Sequence, residues 1–199
     1  MRSNVCKIEK GTRDLEAILV ESERVAEYNG LSHKQALHLR LLCEEIDGML
    51  PNIIDEFDGE FWIEFEDGVC KVNISIHIPE FNSEKKEELI DIANNKKNSA
   101  AVGIVGRIRD SIENLLLDKT RMKALALSSG TFGLGTGYSE GVDYSYLWRL
   151  DEYRRAVKKE EQTEAWDELE KSVIASAADD VIVGVKGRKA DIIIVKKFA

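Results

Sequence analysis

The sequence predicts an α+β two-layer sandwich, a mostly antiparallel sheet with helices on one face, and three observations predict it. Two segments, one before the middle of the chain and one at its end, read as β-hairpins. Apolar-faced helical segments precede each of them. The resulting order is strand, helix, helix, hairpin, helical insert, helix, hairpin, so four of the strands arrive as antiparallel pairs.

Each element has its own signal. Residues 4–8 alternate weakly, as a short edge strand does. Asp14 caps a helix running to Tyr28, with Leu15, Ile18, Leu19, Val25 and Ala26 on its apolar side and Asn29-Gly30 as its stop. Ser32 caps the next helix, from Lys34 to about Met49, which Pro51 disturbs or ends. Its apolar stripe is read from Leu37, Leu41, Ile46 and Met49, widened by Leu39 and Leu42. Residues 61–65 then alternate, and Glu66-Asp67-Gly68 is a strong hairpin turn. Residues 71–78 place Val72, Ile74, Ile76 and Ile78 on one face and Lys71, Asn73, Ser75 and His77 on the other, a hairpin buried on one side.

After Pro79, Ser83 caps a charged helix over 84–93, and the polar run 94–99 is the first loop or boundary. Residues 101–117 form an amphipathic helix through Val102, Val105, Ile108, Ile112, Leu115 and Leu116, weakened early by Gly103 and Gly106. The run 128–141 holds five glycines and reads as a flexible or tightly turning loop. An aromatic and charged helix over 144–159 follows, then a helix over 165–178. The closing hairpin pairs 181–185 with 190–196 across Lys186-Gly187-Arg188.

A chain of 199 residues suits a single domain, 1–199, with 94–163 as a helical and glycine-rich insertion. Hydrophobic residues make up 43%, enough for a sizeable core. The net charge of −9 argues against nucleic acid and anionic membranes as partners, because both call for a basic footprint. Cys6, Cys43 and Cys70 are widely spaced, with no paired-cysteine or Cys-His spacing for zinc, and they fit a reducing cytoplasm. The opening residues lack the apolar core of a signal peptide, and no stretch has membrane-spanning length.

The segment 36–49, ALHLRLLCEEIDGM, carries a Glu44-Glu45 pair on an apolar-faced helix and runs into the first hairpin. It resembles the Glu-bearing helix of the histidine-kinase-like ATPase fold, in the branch of bacterial anti-sigma-factor serine kinases. Residues 4–49, 61–78 and 166–198 fall into that fold's order, and 94–163 occupies the position of its nucleotide lid.

The family helix reads E-x-x-x-N, its Glu orienting or deprotonating a nucleophile and its Asn holding Mg²⁺. Four residues beyond Glu45 stands Met49, and four beyond Glu44 stands Gly48; neither offers the oxygen that Mg²⁺ requires. Asp47 and Asn52 are the nearby oxygen-bearing substitutes, out of helical phase. The family's D-x-G-x-G corner is replaced by residues 77–82, HIPEFN, in which Glu80 offers an acceptor for an adenine amino group but the family's glycines are absent. The glycine turn expected before the last helix is replaced by 158–165, KKEEQTEA. The resemblance therefore implies a remnant nucleotide pocket of Glu44, Asp47, Met49, Asn52 and Glu80. Glu45 would be a catalytic base only if the chain is an enzyme, and no metal site is expected.

Blander readings stand beside these. Glu44 and Glu45 are either a residual base in a cleft or an ordinary exposed pair near a helix end. The loop 130–141 lacks the Lys-Ser/Thr ending of a phosphate loop and reads better as a lid or a partner-binding loop. His33, His38 and His77 are scattered, without metal-ligand spacing. Tyr144, Tyr146, Trp148 and Tyr153, beside Arg149, Arg154 and Arg155, suit either packing or a protein contact.

The resulting expectation is a bacterial cytoplasmic regulatory protein of the anti-sigma or partner-switching type, non-catalytic or weakly nucleotide-binding, with no cofactor. Its partner would be a sigma factor or an anti-sigma antagonist, with a homodimer as a further option. The alternative is an ATP-dependent serine kinase or ATPase with rearranged Mg–ATP ligands, Glu45 as base and Asp47 as the new oxygen ligand. A third option is a different acidic or neutral small ligand in the old pocket.

Overall fold

The computed structural model describes residues 1–9, 15–54, 57–77, 104–109, 112, 146–159, 166–167, 169–170, 172–186 and 188–198. Their order is β1 (Cys6–Glu9), α1 (Leu15–Tyr28), α2 (His33–Ile53), β2 (Asp58–Glu66), β3 (Val69–His77), β4 (Tyr146–Arg149), α3 (Leu150–Lys159), α4 (Val173–Ala177), β5 (Asp180–Lys186) and β6 (Lys189–Lys197). The six strands form one antiparallel sheet in the order β1-β2-β3-β6-β5-β4. This is the α+β arrangement expected, with both hairpins in place and joined to each other through β3 and β6.

The turn between β2 and β3 follows from its residues. Asp67 and Gly68 both have positive φ, at 49° and 76°, the backbone of a two-residue turn whose twist suits a hairpin. Farther along the same pair, Gly59 faces Ile76, and a Cβ on Gly59 would sit 2.3 Å from the carbonyl oxygen of Ser75. Only glycine lets the two strands pair there.

One face of the sheet carries the core. Phe61 and Ile63 from β2, Val72, Ile74 and Ile76 from β3, Ile192 and Ile194 from β6, and Val181, Val183 and Val185 from β5 are all buried. They form one cluster with Ile18 and Val25 of α1, Leu39, Leu42 and Ile46 of α2, Leu150 and Val157 of α3, and Ile174 of α4. A helical stretch over 104–109 adds Ile104 and Ile108 to it. On the opposite face Ile182 and Val195 are buried but lie outside that cluster. Asn73 and Ser75, expected on the open side of the hairpin, are buried too. β3 is a central strand, so Asn73 is flanked by Trp62 and Ile193, and Ser75 by Glu60 and Asp191.

Four local expectations are corrected. The apolar stripe of α2 runs through Leu39, Leu42, Cys43, Ile46, Met49, Leu50 and Ile53, an unbroken series of three- and four-residue steps. Leu37 and Leu41 fall outside it and are exposed. The helix also passes through Pro51 and ends at Ile53. Proline removes one N–H near the C-terminus, and the burial of Leu50 and Ile53 holds the last turn. The helix expected over 144–159 begins only at Leu150, because the preceding four residues pair with β5 as β4. Within 165–178, Ser172 starts a short helix of its own, its Oγ accepting from Ala175 N at 3.2 Å.

Asp180 joins the late elements. Its carboxylate accepts from Arg149 Nε at 3.0 Å, from the Asp151 amide at 3.1 Å and from the Val181 amide at 3.0 Å. It thus caps the N-terminus of α3 while tying β4 to β5. Arg154, one turn into α3, donates to the carbonyls of Ala175, Ala178 and Asp179 and so closes the C-terminal end of α4. The helix expected over 84–93 and the glycine loop 128–141 lie outside the described residues.

Candidate functional site

The candidate site is the second half of α2, and its geometry begins at the cap. Ser32 Oγ accepts from Gln35 N, and Gln35 Oε1 accepts from Ser32 N at 2.9 Å, a reciprocal capping box. This cap and the buried stripe together fix the rotation of the helix, and hence which way Glu44, Glu45, Asp47, Met49 and Asn52 turn.

They turn apart. Glu44 lies on the outward face, where its Oε1 accepts from Arg40 Nε at 3.1 Å. Arg40 also reaches Glu23 on α1, so one guanidinium clips the two helices together. Glu45 is half-buried on the border of that face. Asp47 and Met49 are buried, Met49 as a member of the core. Asn52 is exposed, and its amide donates to the carbonyl of Gly48, one turn back on the same helix, at 3.3 Å. Glu80 lies outside the described residues. The α2 residues expected in a remnant pocket thus fall on two sides of one helix, Glu44 with Asp47 on one and Glu45, Met49 and Asn52 on the other, at different depths.

The outward face of α2 carries features that reading the helix from Glu44 and Glu45 alone had missed. Leu37 and Leu41 are 51% and 41% exposed, four residues apart on one face. Gly48 lies on the same face two turns beyond Leu41 and three beyond Leu37, and a Cβ there would meet nothing within 4 Å. Across the Arg40 clip, α1 presents Glu16, Val20, Glu23 and Glu27 at helical spacing, all exposed. Arithmetic on the stripe exposes the surplus: Leu39 to Ile53 complete an apolar face without either leucine.

The remaining candidates have structural partners. Burial pushes the Cys70 thiol up to about 12, and burial, aided by the nearby Cys70, Glu44 and Cys6, raises that of Cys43 well above its ordinary range. Neither is a thiolate at neutral pH. The hydrogen bonds that Arg149 donates to Asp180 raise its pKa against the opposing effect of burial. Arg154 is engaged with the α4 carbonyls, and Arg155 pairs with Asp151 at 2.6 Å. Tyr153 packs against Trp148 and receives the guanidinium of Arg107 over its ring at 5.3 Å. Packing therefore accounts for the described part of the aromatic run. Among the described residues no three His, Cys, Asp or Glu side chains are placed to hold a metal ion, and no helix is long and apolar enough to cross a membrane. Comparisons with protein-family models, curated proteins and solved structures give no match.

Proposed function

We propose that the protein is a regulatory, protein-binding module of the anti-sigma or partner-switching type, on a scaffold of the histidine-kinase-like ATPase kind. The observation that carries this reading is the divergence of the α2 residues. Met49 is spent on the core, Asn52 bonds its own helix and Glu44 is held by Arg40, so the position of the family's magnesium ligand is taken up by packing. The face that this helix turns outward carries Leu37 and Leu41 among charged residues of both signs, a composition suited to a protein surface. A bacterial cytoplasmic setting and a sigma-factor or antagonist partner belong to the same reading.

Two measurements test it. Calorimetric titration with ATP and ADP, with and without Mg²⁺, should give no heat of binding at millimolar nucleotide. Micromolar, magnesium-dependent binding, with turnover abolished in Glu45→Gln, would establish the kinase alternative in its place. Capture from a bacterial lysate, followed by reconstitution from purified components, should yield a stoichiometric complex. Failure to reconstitute a complex with any captured protein would overturn the module reading.

A further inference from the structure

We propose that the chain pairs with a second copy of itself along the free edge of β1, the two β1 strands running antiparallel about a two-fold axis at Ile8. The two sheets then continue into one another. This inference stands apart from the binding-module reading, because it concerns the purified chain alone.

The direction in which the edge points its backbone follows from the pairing on its other side. β1 ends the sheet, with β2 as its neighbour. Phe65 N donates to Met1 O at 2.8 Å, Ser3 N to Ile63 O at 2.8 Å, and Ile63 N to Ser3 Oγ at 2.9 Å. The odd-numbered residues of β2 thus turn their backbone groups toward the N-terminal strand. The turn at Asp67-Gly68 agrees, since it closes on the pair Glu66–Val69 and so gives the even-numbered residues to β3. Cys6 and Ile8, opposite Phe61 and Gly59, therefore direct their N–H and C=O groups to β2, whereas Lys7 and Glu9 present theirs to the free edge.

That edge is open. Among the described residues nothing takes the outward backbone groups of Lys7 and Glu9. The bulge just before them differs. The register advances by one extra residue between Ser3–Ile63 and Cys6–Phe61, and the Asn4 amide within that bulge donates to Glu21 at 3.0 Å. Helix α1 makes its sheet contacts chiefly with β2, one strand in, so it leaves the edge clear.

Charge decides what completes the edge. Lys7 and Glu9 are exposed, and neither has an ion-pair partner among the described residues. Across the ladder Lys7 faces Glu60, while Glu9 faces Asp58, a like charge that has His77 on its far side. The charges at the other end of this edge are engaged: Arg2 lies over Trp62 at 4.8 Å and 3.9 Å from Glu64, and Glu21 holds Arg24 and Asn4. Antiparallel pairing about Ile8 sets Lys7 opposite the copy's Glu9, and Glu9 opposite the copy's Lys7. Each Glu9 thereby gains a cation. The same two positions carry the outward backbone groups, so each pair also exchanges both of its N–H···O bonds.

The register is specified as well. Sliding it by two residues either way sets Lys7 against Lys7 or Glu9 against Glu9. A slip by one residue sets core-facing side chains opposite open-face ones. A lysine on an edge strand ordinarily discourages pairing. Here the glutamate two residues on makes the strand complementary to its own reverse, in one register.

The test is analytical ultracentrifugation of the purified full chain. The wild type should dimerise with a dissociation constant on the order of 100 μM, as suits so short a seam. Lys7→Glu and Glu9→Lys each set like charges opposite one another in a self-pair, and each should weaken dimerisation at least about tenfold. Both side chains are exposed, so neither change should move the melting temperature. Mixed in equal amounts, the two variants restore both opposite-charge pairs and should associate at least as tightly as the wild type. A merely structural effect of either substitution would not produce that rescue. Hydrogen exchange should slow at the Lys7 and Glu9 amides as the wild-type concentration rises, and stay unchanged at Cys6 and Ile8, which already bond to β2.

A wild type that stays monomeric at about 1 mM would overturn the proposal. A dimer that both single variants leave intact would overturn it too, by placing the contact on another surface, as would a mixture that associates no better than the variants alone. None of these outcomes touches the module reading, and loss of that reading would leave this seam in place.

Discussion

Two arginine clips hold the two ends of this molecule, and they differ in kind. Arg149 meets Asp180 where the two side chains are only 24% and 11% exposed, and the same carboxylate caps α3 and the start of β5. Arg40 meets Glu23 and Glu44 with 39% of its own side chain exposed and 61% and 41% of theirs. A charge pair shielded from water must be complete, because removing one partner leaves the other desolvated. A pair in solvent is screened and nearly neutral in free energy. The Asp180 side of the fold is therefore committed to holding β4 and α3 on the sheet, whereas the Arg40 side can be rearranged at little cost. A surface meant to receive something else is best built on the second kind of clip.

Breaking the shielded clip should have the largest effect. Asp180→Ala removes the acceptor of Arg149 and both capped amides, and should destabilise the protein by about 3 kcal/mol in urea denaturation. In the double variant with Arg149→Met the loss should be smaller than the sum of the two single losses; simple additivity would show that the two residues do not act as a pair. Next in size is Arg154→Met, which keeps the aliphatic stem and leaves the carbonyls of Ala175, Ala178 and Asp179 without their charged donor. A loss of about 2 kcal/mol is expected, with the earliest hydrogen exchange in α4.

The contrast between the clips also explains what could be read from the sequence. The hairpins, the helix cap at Ser32 and the edge strand were legible because their signals are local: alternation, Asp67-Gly68, and a Ser–Gln box. The strand β4 was not. Tyr146-Leu147-Trp148-Arg149 continues into helix-favouring residues, and it becomes a strand only because β5 is there to pair with it and Asp180 is there to start the helix after it. The rotation of α2 was half legible. Its apolar stripe is a complete series, yet Leu37 and Leu41 were assigned to the core because leucine alone does not say which face it serves. For the candidate site, the sequence supplied the residues of α2 but not their divergence, which depends on Met49 being used by the core and on Arg40 reaching across to α1.

Glu21 tests the middle of the range, a carboxylate shielded like Asp180 but placed on α1. Burial raises its pKa, but hydrogen bonds from the side chain and backbone amide of Asn4, with Arg24 beside it, hold it below its ordinary value of 4.5. A carboxyl with a lowered folded-state pKa adds stability above its unfolded pKa, and loses that contribution as pH falls through the folded value. The wild type should therefore lose stability as the pH falls below about 4.5, beyond what the other carboxylates account for. Glu21→Gln should be destabilised by about 1.5 kcal/mol at neutral pH and should converge on the wild type in acid. Parallel pH profiles for the two proteins would show that the Asn4 contacts do not favour the ionised form.

The smallest effect is expected where the pair is most exposed. Arg40→Met leaves Glu23 and Glu44 both facing water, so neither is stranded, and the methionine stem still covers the seam between α1 and α2. The loss in urea denaturation should stay below about 1 kcal/mol and shrink further as salt is raised. A loss comparable to that of Asp180→Ala would mean that Arg40 is as structurally committed as Arg149. The α1–α2 seam would then be a braced wall of the fold, as the Asp180 side is.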